Sequence, residues 1–150
     1  DNVDKEYLQK PKKLDIKSLT HFMLFMGPLS SMFDLLVFGA LWYIFGIREA
    51  ATVQTVWFSY SIVSNLVGMH IIRTAKTPFV QSNANKAVYI SSISLSIVGI
   101  LVPYTFLGNA IGLVPVTLNY LDVILPVTFL YCIVASFAKK IYIKKYGEWI

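Results

Sequence analysis

Residues 23–45 read Met23-Leu-Phe-Met-Gly-Pro-Leu-Ser-Ser-Met-Phe-Asp34-Leu-Leu-Val-Phe-Gly-Ala-Leu-Trp-Tyr-Ile-Phe45. Wound as an α-helix at 1.5 Å per residue, the stretch is about 34 Å long, enough to cross a hydrocarbon core of about 30 Å. One ionisable side chain interrupts it. Asp34 lies about 11 residues from the inner end, roughly 16 Å into that core. A carboxylate at such depth is expensive and faces a bundle interior, a partner or an ion path. The stretch predicts a membrane protein that handles something polar.

The rest of the chain extends this reading. Apolar residues make up 56% and charged residues 14%, and mean hydropathy is +0.62. A soluble domain of this length has a different composition, and here the apolar residues gather in long blocks. Four blocks qualify as spans, at about residues 22–45, 52–72, 87–102 and 121–138. The third is short, but Lys86 and Tyr104 at the interfaces extend it. The predicted fold class is all-α: a polytopic membrane protein, a four-helix transmembrane bundle of residues 18–150 behind a cytosolic arm of residues 1–17. Blocks this long exclude a porin-like barrel, which would show alternating segments of about ten residues.

The net charge of +5 suggests nucleic acid until its distribution is mapped. Lys5, Lys10, Lys12, Lys13 and Lys17 precede the first span. Arg73, Lys76 and Lys86 lie between spans two and three, and Lys139, Lys140, Lys144 and Lys145 follow span four. Arg48 alone lies on the opposite side, so 12 of 13 basic residues share one face of the membrane. This positive-inside pattern puts both termini and the middle loop in the cytoplasm, and it agrees with an even number of spans. The basic residues thus answer to a bilayer and not to nucleic acid. Cys132 is the single cysteine, so no intrachain disulfide is possible; it reads as a small apolar residue inside span four. The chain begins with Asp1, not Met, and is expected to be a piece of a longer protein.

Ser18 or Thr20 is the expected cap of the first helix. Pro28, beside Gly27, is expected to kink it six residues before Asp34. Residues 103–120 carry no charge and predict an outer loop close to the headgroups. Residues 142–149 predict a basic, aromatic tail at the inner interface.

Polar residues fall on faces. In the first span Gly27, Ser30, Ser31 and Asp34 share one side. In the second, Gln54, Ser61, Ser64, Asn65 and Gly68 form a stripe. Such stripes must face protein or water, and two of them on consecutive antiparallel helices predict a common interior. The plain reading of Ser64 and Asn65 is close-packing glue between helices. For Asp34 it is a carboxylate hydrogen-bonded to a neighbouring helix. The sharper reading sets Asp34 on or beside an ion path, since serines and a kink accompany it, and it is the one residue offered as a metal ligand. Asp122 reads as a helix-start residue, His70 as a packing histidine, and Ser92, Ser96 and Gly99 as a packing seam. No phosphate-binding glycine loop, Ser/His/Asp set or zinc spacing is present, so the chain has no means of binding ATP by itself.

Four motifs in order carry a resemblance: Asp1-Asn-Val-Asp4 with Gln9-Lys-Pro11; Gly27-Pro-Leu-Ser-Ser-Met-Phe-Asp34; His70-Ile-Ile-Arg-Thr-Ala-Lys-Thr-Pro-Phe-Val-Gln-Ser82; and Tyr142-Ile-Lys-Lys-Tyr-Gly-Glu-Trp149. Over essentially its whole length the chain resembles the C-terminal membrane part of bacterial P-type magnesium-transporting ATPases, the MgtA/MgtB type. The resemblance implies that the spans are helices seven to ten of a ten-helix transporter in the bacterial plasma (inner) membrane. Its partners would be the lipid bilayer and the remainder of the parent ATPase, namely helices one to six and the cytosolic domains. Mg²⁺ would be the transported ion. ATP would be bound, and the catalytic phosphorylation carried, by parts absent here, so the piece alone is expected to be inactive. Asp34 is carried over as ion-associated, with Ser30 and Ser31 beside it and Ser64 and Asn65 as a polar stripe. Calcium pumps of the wider superfamily use a carboxylate on helix eight, where this chain offers only Ser64 and Asn65; that departure speaks against a second site of the calcium-pump kind. Asp1, Asp4 and Glu6 would follow helix six, either attracting cations at the inner mouth or forming a solvated loop. The alternative is a free-standing four-helix membrane channel or scaffold.

Overall fold

A computed structural model describes Asp4 and residues 15–149. Among these residues five α-helices run in the order α1 (Ile16–Tyr43), α2 (Ala50–Ile72), α3 (Lys86–Leu101), α4 (Phe106–Ala110) and α5 (Leu121–Tyr146). Among the described residues there is no strand, and four of the helices are long and apolar enough to cross a membrane. The 3-10 turn Val102–Tyr104 lengthens the third of these to Lys86–Tyr104.

Two boundaries differ from the sequence expectation. The first helix begins at Ile16, inside the expected arm, and its cap is Asp15 and not Ser18 or Thr20. The Asp15 carboxylate accepts from the Ser18 backbone N–H at 3.4 Å. A carboxylate at the cap satisfies an orphan amide and also suits the positive end of the helix dipole. Thr20, already inside the helix, donates its hydroxyl to the Ile16 carbonyl. At the other end α5 runs on to Tyr146, so most of the expected tail is helical. It stops at Gly147, whose φ of 80° belongs to the left-handed region and whose N–H closes onto the Ile143 carbonyl at 2.8 Å. That is a glycine helix stop with Lys144 and Lys145 in the last turn. Pro28 lies within α1, which continues through it, and Pro126 lies likewise within α5.

Helix α5 packs on both α1 and α2, while α3 packs chiefly on α2. Along α1 the buried residues are Phe22, Met26, Phe33, Val37 and Leu41, an i, i+4 row. The row meets Tyr131 and Tyr142 of α5: Phe33 stands edge-on to Tyr131 at 5.4 Å, and Phe22 edge-on to Tyr142 at 6.2 Å and to Trp149 at 5.3 Å. Large apolar side chains are also spread over the outside, among them Leu24, Leu35, Ile90, Ile93, Phe129 and Phe137, each more than half exposed. Apolar surface on this scale is a liability in water and the ordinary state of a helix facing lipid.

Candidate functional site

The polar stripe of α1 does not enter the interior of the bundle. The core row occupies one side of the helix, and Asp34 sits on its flank, half-buried, with Ser31 and Gly27 exposed beyond it. On α2, Ser61 and Ser64 are half-buried and Gln54 and Asn65 exposed, while Gly68, at the end of the stripe, is buried against Tyr131. The expected common interior is therefore a face left open by these four helices. Tyr60, Val56 and Thr55 fill the true interior instead. Aromatic and β-branched volume fills that space, and the buried Thr55 hydroxyl is satisfied by the Ala51 carbonyl.

The Asp34 carboxylate accepts the Trp57 indole N–H at 3.1 Å across the α1–α2 contact. Trp57 in turn lies parallel to Phe38, 6.0 Å between ring centres. A charge-assisted bond in a low-dielectric setting fixes the carboxylate's orientation. The two serines part company. Ser30 turns toward α5, its hydroxyl 3.4 Å from that of Tyr131, while Ser31 returns its proton to the Gly27 carbonyl. On α2, Ser64 bonds the Ser61 carbonyl and Asn65 donates to the Ser61 hydroxyl at 3.4 Å. The face thus presents one carboxylate and a set of hydroxyl and amide oxygens. Among the described residues no three His, Cys, Asp or Glu side chains converge as a metal cage. An ion held at Asp34 would need ligands from elsewhere or its own waters.

Asp4 has a different setting. It is buried, taking the Thr74 hydroxyl at 2.6 Å and the Ser82 hydroxyl at 3.0 Å. Burial alone would raise its pKa, but these two bonds and the Lys76 charge outweigh it and hold the carboxyl below the ordinary value. Asp4 is thus docked on the loop between α2 and α3. Asp1 and Glu6 lie outside the described residues.

Sequence reasoning missed the groups that secure this end of the bundle. Lys139 is only 1% exposed. Its ammonium donates to the carbonyls of Ile71 and Thr74, each at 3.0 Å, and of Lys76 at 2.6 Å. Trp149 donates its indole N–H to the Ile72 carbonyl at 2.8 Å. These are the orphan carbonyls at and beyond the end of α2, where a cation and N–H donors are favoured. The one available signal was the helix-compatible run through Lys139, which puts it more than a turn before Lys144 and Lys145. His70 is buried, stacked on Tyr89 and 3.0 Å from the Ser92 hydroxyl, the packing role expected of it. Asp122 stands in the first turn of α5.

Comparison with known proteins gives a consistent picture. The family described as "Cation transporting ATPase, C-terminus" matches residues 1–141. The chain is 38% identical over 152 aligned positions to the "Magnesium-transporting ATPase, P-type 1" of Salmonella typhimurium, covering 99% of this chain and 17% of that protein. Against the protein of the same name from Escherichia coli K12 it is 34% identical over 150 positions, covering 98% and 17%. The chain spans about one sixth of the length of the curated relatives it matches.

Proposed function

Because the chain belongs to the family of cation-transporting ATPase C-terminal regions, we propose that it is the supporting membrane bundle of an ATP-driven Mg²⁺ transporter. On this reading the parent sits in the bacterial inner membrane with both ends of the present chain in the cytoplasm. Helices one to six and the cytosolic domains belong to the rest of the parent. ATP is bound and hydrolysed there, and this piece by itself is inactive. The names of the relatives support the ion, and the charge asymmetry supports the orientation.

The observation that carries the reading is the open face around Asp34. A carboxylate, serines and an asparagine at membrane depth are not left against lipid. They suit the remaining helices of the transporter and a hydrated ion moving between them. Mg²⁺ keeps several waters and is held by one or two carboxylates, so a lone Asp with hydroxyl neighbours is appropriate company for it. Asp4 supports the same picture from the cytosolic side, where its docking would tie the end of helix six to the loop between α2 and α3.

The Trp57–Asp34 bond favours a second reading, in which Asp34 only fastens α1 to α2. Mg²⁺-dependent ATPase activity of the full-length protein separates the two. If the charge serves the ion, Asp34→Asn stays folded and shifts the Mg²⁺ dependence by about tenfold or more, roughly 1.4 kcal/mol, while Trp57→Phe, which keeps the carboxylate, shifts it far less. If Asp34 is a fastener, both variants lower thermal stability alike and the surviving protein keeps the wild-type Mg²⁺ dependence.

A further inference from the structure

We propose that the end of the bundle bearing the α1–α2 turn holds one phospholipid, its phosphate on Arg48 and an acyl chain in the groove between Phe38, Trp57 and Val53. The groove has a volume of about 410 Å³ and opens at the surface between the two helices, which lies in the range of about 300–1,000 Å³ usual for ligand sites. Its wall is preformed. Trp57 is fixed twice, by its ring against Phe38 and by its indole N–H on Asp34, so filling the groove requires no rearrangement of that side.

The rim supplies the charge. Arg48 is the only Lys or Arg in residues 18–72. Its guanidinium carbon lies 5.1 Å over the Trp42 ring, and among the described residues no carboxylate is paired with it. The neighbouring Glu49 carboxylate instead accepts the Thr52 hydroxyl at 3.0 Å. A planar guanidinium braced on a tryptophan at the interface is suited to a phosphodiester, which it meets with two parallel N–H donors.

Composition decides between lipid and protein as occupant. Deeper along the same flank the surface is polar, with Ser31, Asp34 and Asn65, and suits another helix. At the Arg48 end it is aromatic and aliphatic, with one cation at its mouth and Gln54 about one turn in. One anionic head with an apolar tail complements that arrangement. The proposal is independent of which ion the parent carries.

The test counts lipids retained by the full-length protein in detergent, using native mass spectrometry. Palmitoyl-oleoyl phosphatidylglycerol is compared with the diacylglycerol of the same chains. We expect one tightly held phosphatidylglycerol per protein and no comparable adduct with diacylglycerol. Arg48→Ala, which removes the phosphate partner, and Ala50→Trp, which fills the groove and keeps the arginine, should each weaken retention by about tenfold or more, and Arg48→Lys by less. Equal retention of diacylglycerol overturns the proposal, since the groove would then be merely apolar. So does wild-type retention in both Arg48→Ala and Ala50→Trp, or no retention by the wild type, as expected if a helix covers the groove. Should either variant misfold, the other decides, and the comparison of the two lipids on wild-type protein stands by itself.

Discussion

Lys139 and Lys140 are adjacent in sequence and opposite in circumstance. Lys140 is exposed, while Lys139 is buried with its ammonium on three main-chain carbonyls. The same residue type thus meets two environments because one of the two positions faces the end of α2. A buried ammonium is tolerable only when fully hydrogen-bonded, and here its three protons have three acceptors. Lys139→Met keeps much of the packing volume and removes all three donors. It should lower stability by about 2–4 kcal/mol, since buried carbonyls lose their partners. Thermal unfolding in detergent measures this, and Lys140→Met serves as the comparison that should change little. From the sequence, Lys139 was one more basic residue after the last span; its burial was not visible, because burial depends on where α2 ends in space.

At the scale of elements, α3 shows what small residues do. A Cβ at Gly99 would stand 2.8 Å from Ile62 Cγ2 and 3.1 Å from Ile62 Cβ, and the Gly99 carbonyl accepts the buried Ser59 hydroxyl at 3.3 Å. One helix therefore rides directly on the backbone of the other, the close approach that small residues permit in membranes. Ser92, one side of the same seam, meets His70. The branched Ile62 is stiff within its helix and yields poorly. Gly99→Leu should push α3 away from α2 at a cost of about 1–3 kcal/mol, seen as a lower midpoint of thermal aggregation, whereas Gly39→Leu, where a Cβ meets nothing within 4 Å, should be tolerated. The small-residue face was legible as a period along α3. Its partner on α2 was not, because periodicity names a face and not what the face meets.

At the scale of the whole molecule, distant parts of the chain converge on the end of α2 and the segment that follows it. Asp4 reaches it through Thr74 and Ser82, and Trp149 through the Ile72 carbonyl. Thr74 joins these bonds further, since its hydroxyl also receives the Lys76 N–H while its carbonyl receives Lys139. The docked Asp4 carboxyl has a pKa below its ordinary value. The ionised form is therefore favoured by folding: its contribution is complete above the unfolded carboxylate value of about 3.9 and fades as pH falls through the lowered one. Amide exchange protection in residues 73–85 should stay level from pH 7 to about pH 5 and decline only in stronger acid. In Asp4→Asn it should be weaker already at neutral pH and lose that acid step. A decline centred near neutrality in the wild type would mean that another group governs the loop.

The sequence by itself determined the class of this protein, its four helices of membrane-crossing length and the uneven placing of its basic residues between them. Those follow from local quantities: the length of apolar runs against bilayer thickness, and the count of Lys and Arg at their ends. It also singled out Asp34, because a carboxylate inside such a run stands out whatever surrounds it. Tertiary structure decided who meets whom. A helical wheel put Ser30 and Ser31 on one side with Asp34, yet rotation of α1 against α5 gave Ser30 to Tyr131 and left Ser31 outside. It also made Trp57 the partner of Asp34, turned the polar stripes to the flank and brought Lys139 under the loop. Rotation about a helix axis and the pairing of helices are set by the fit of side chains across the interface, which involves two segments at once and is written in neither alone.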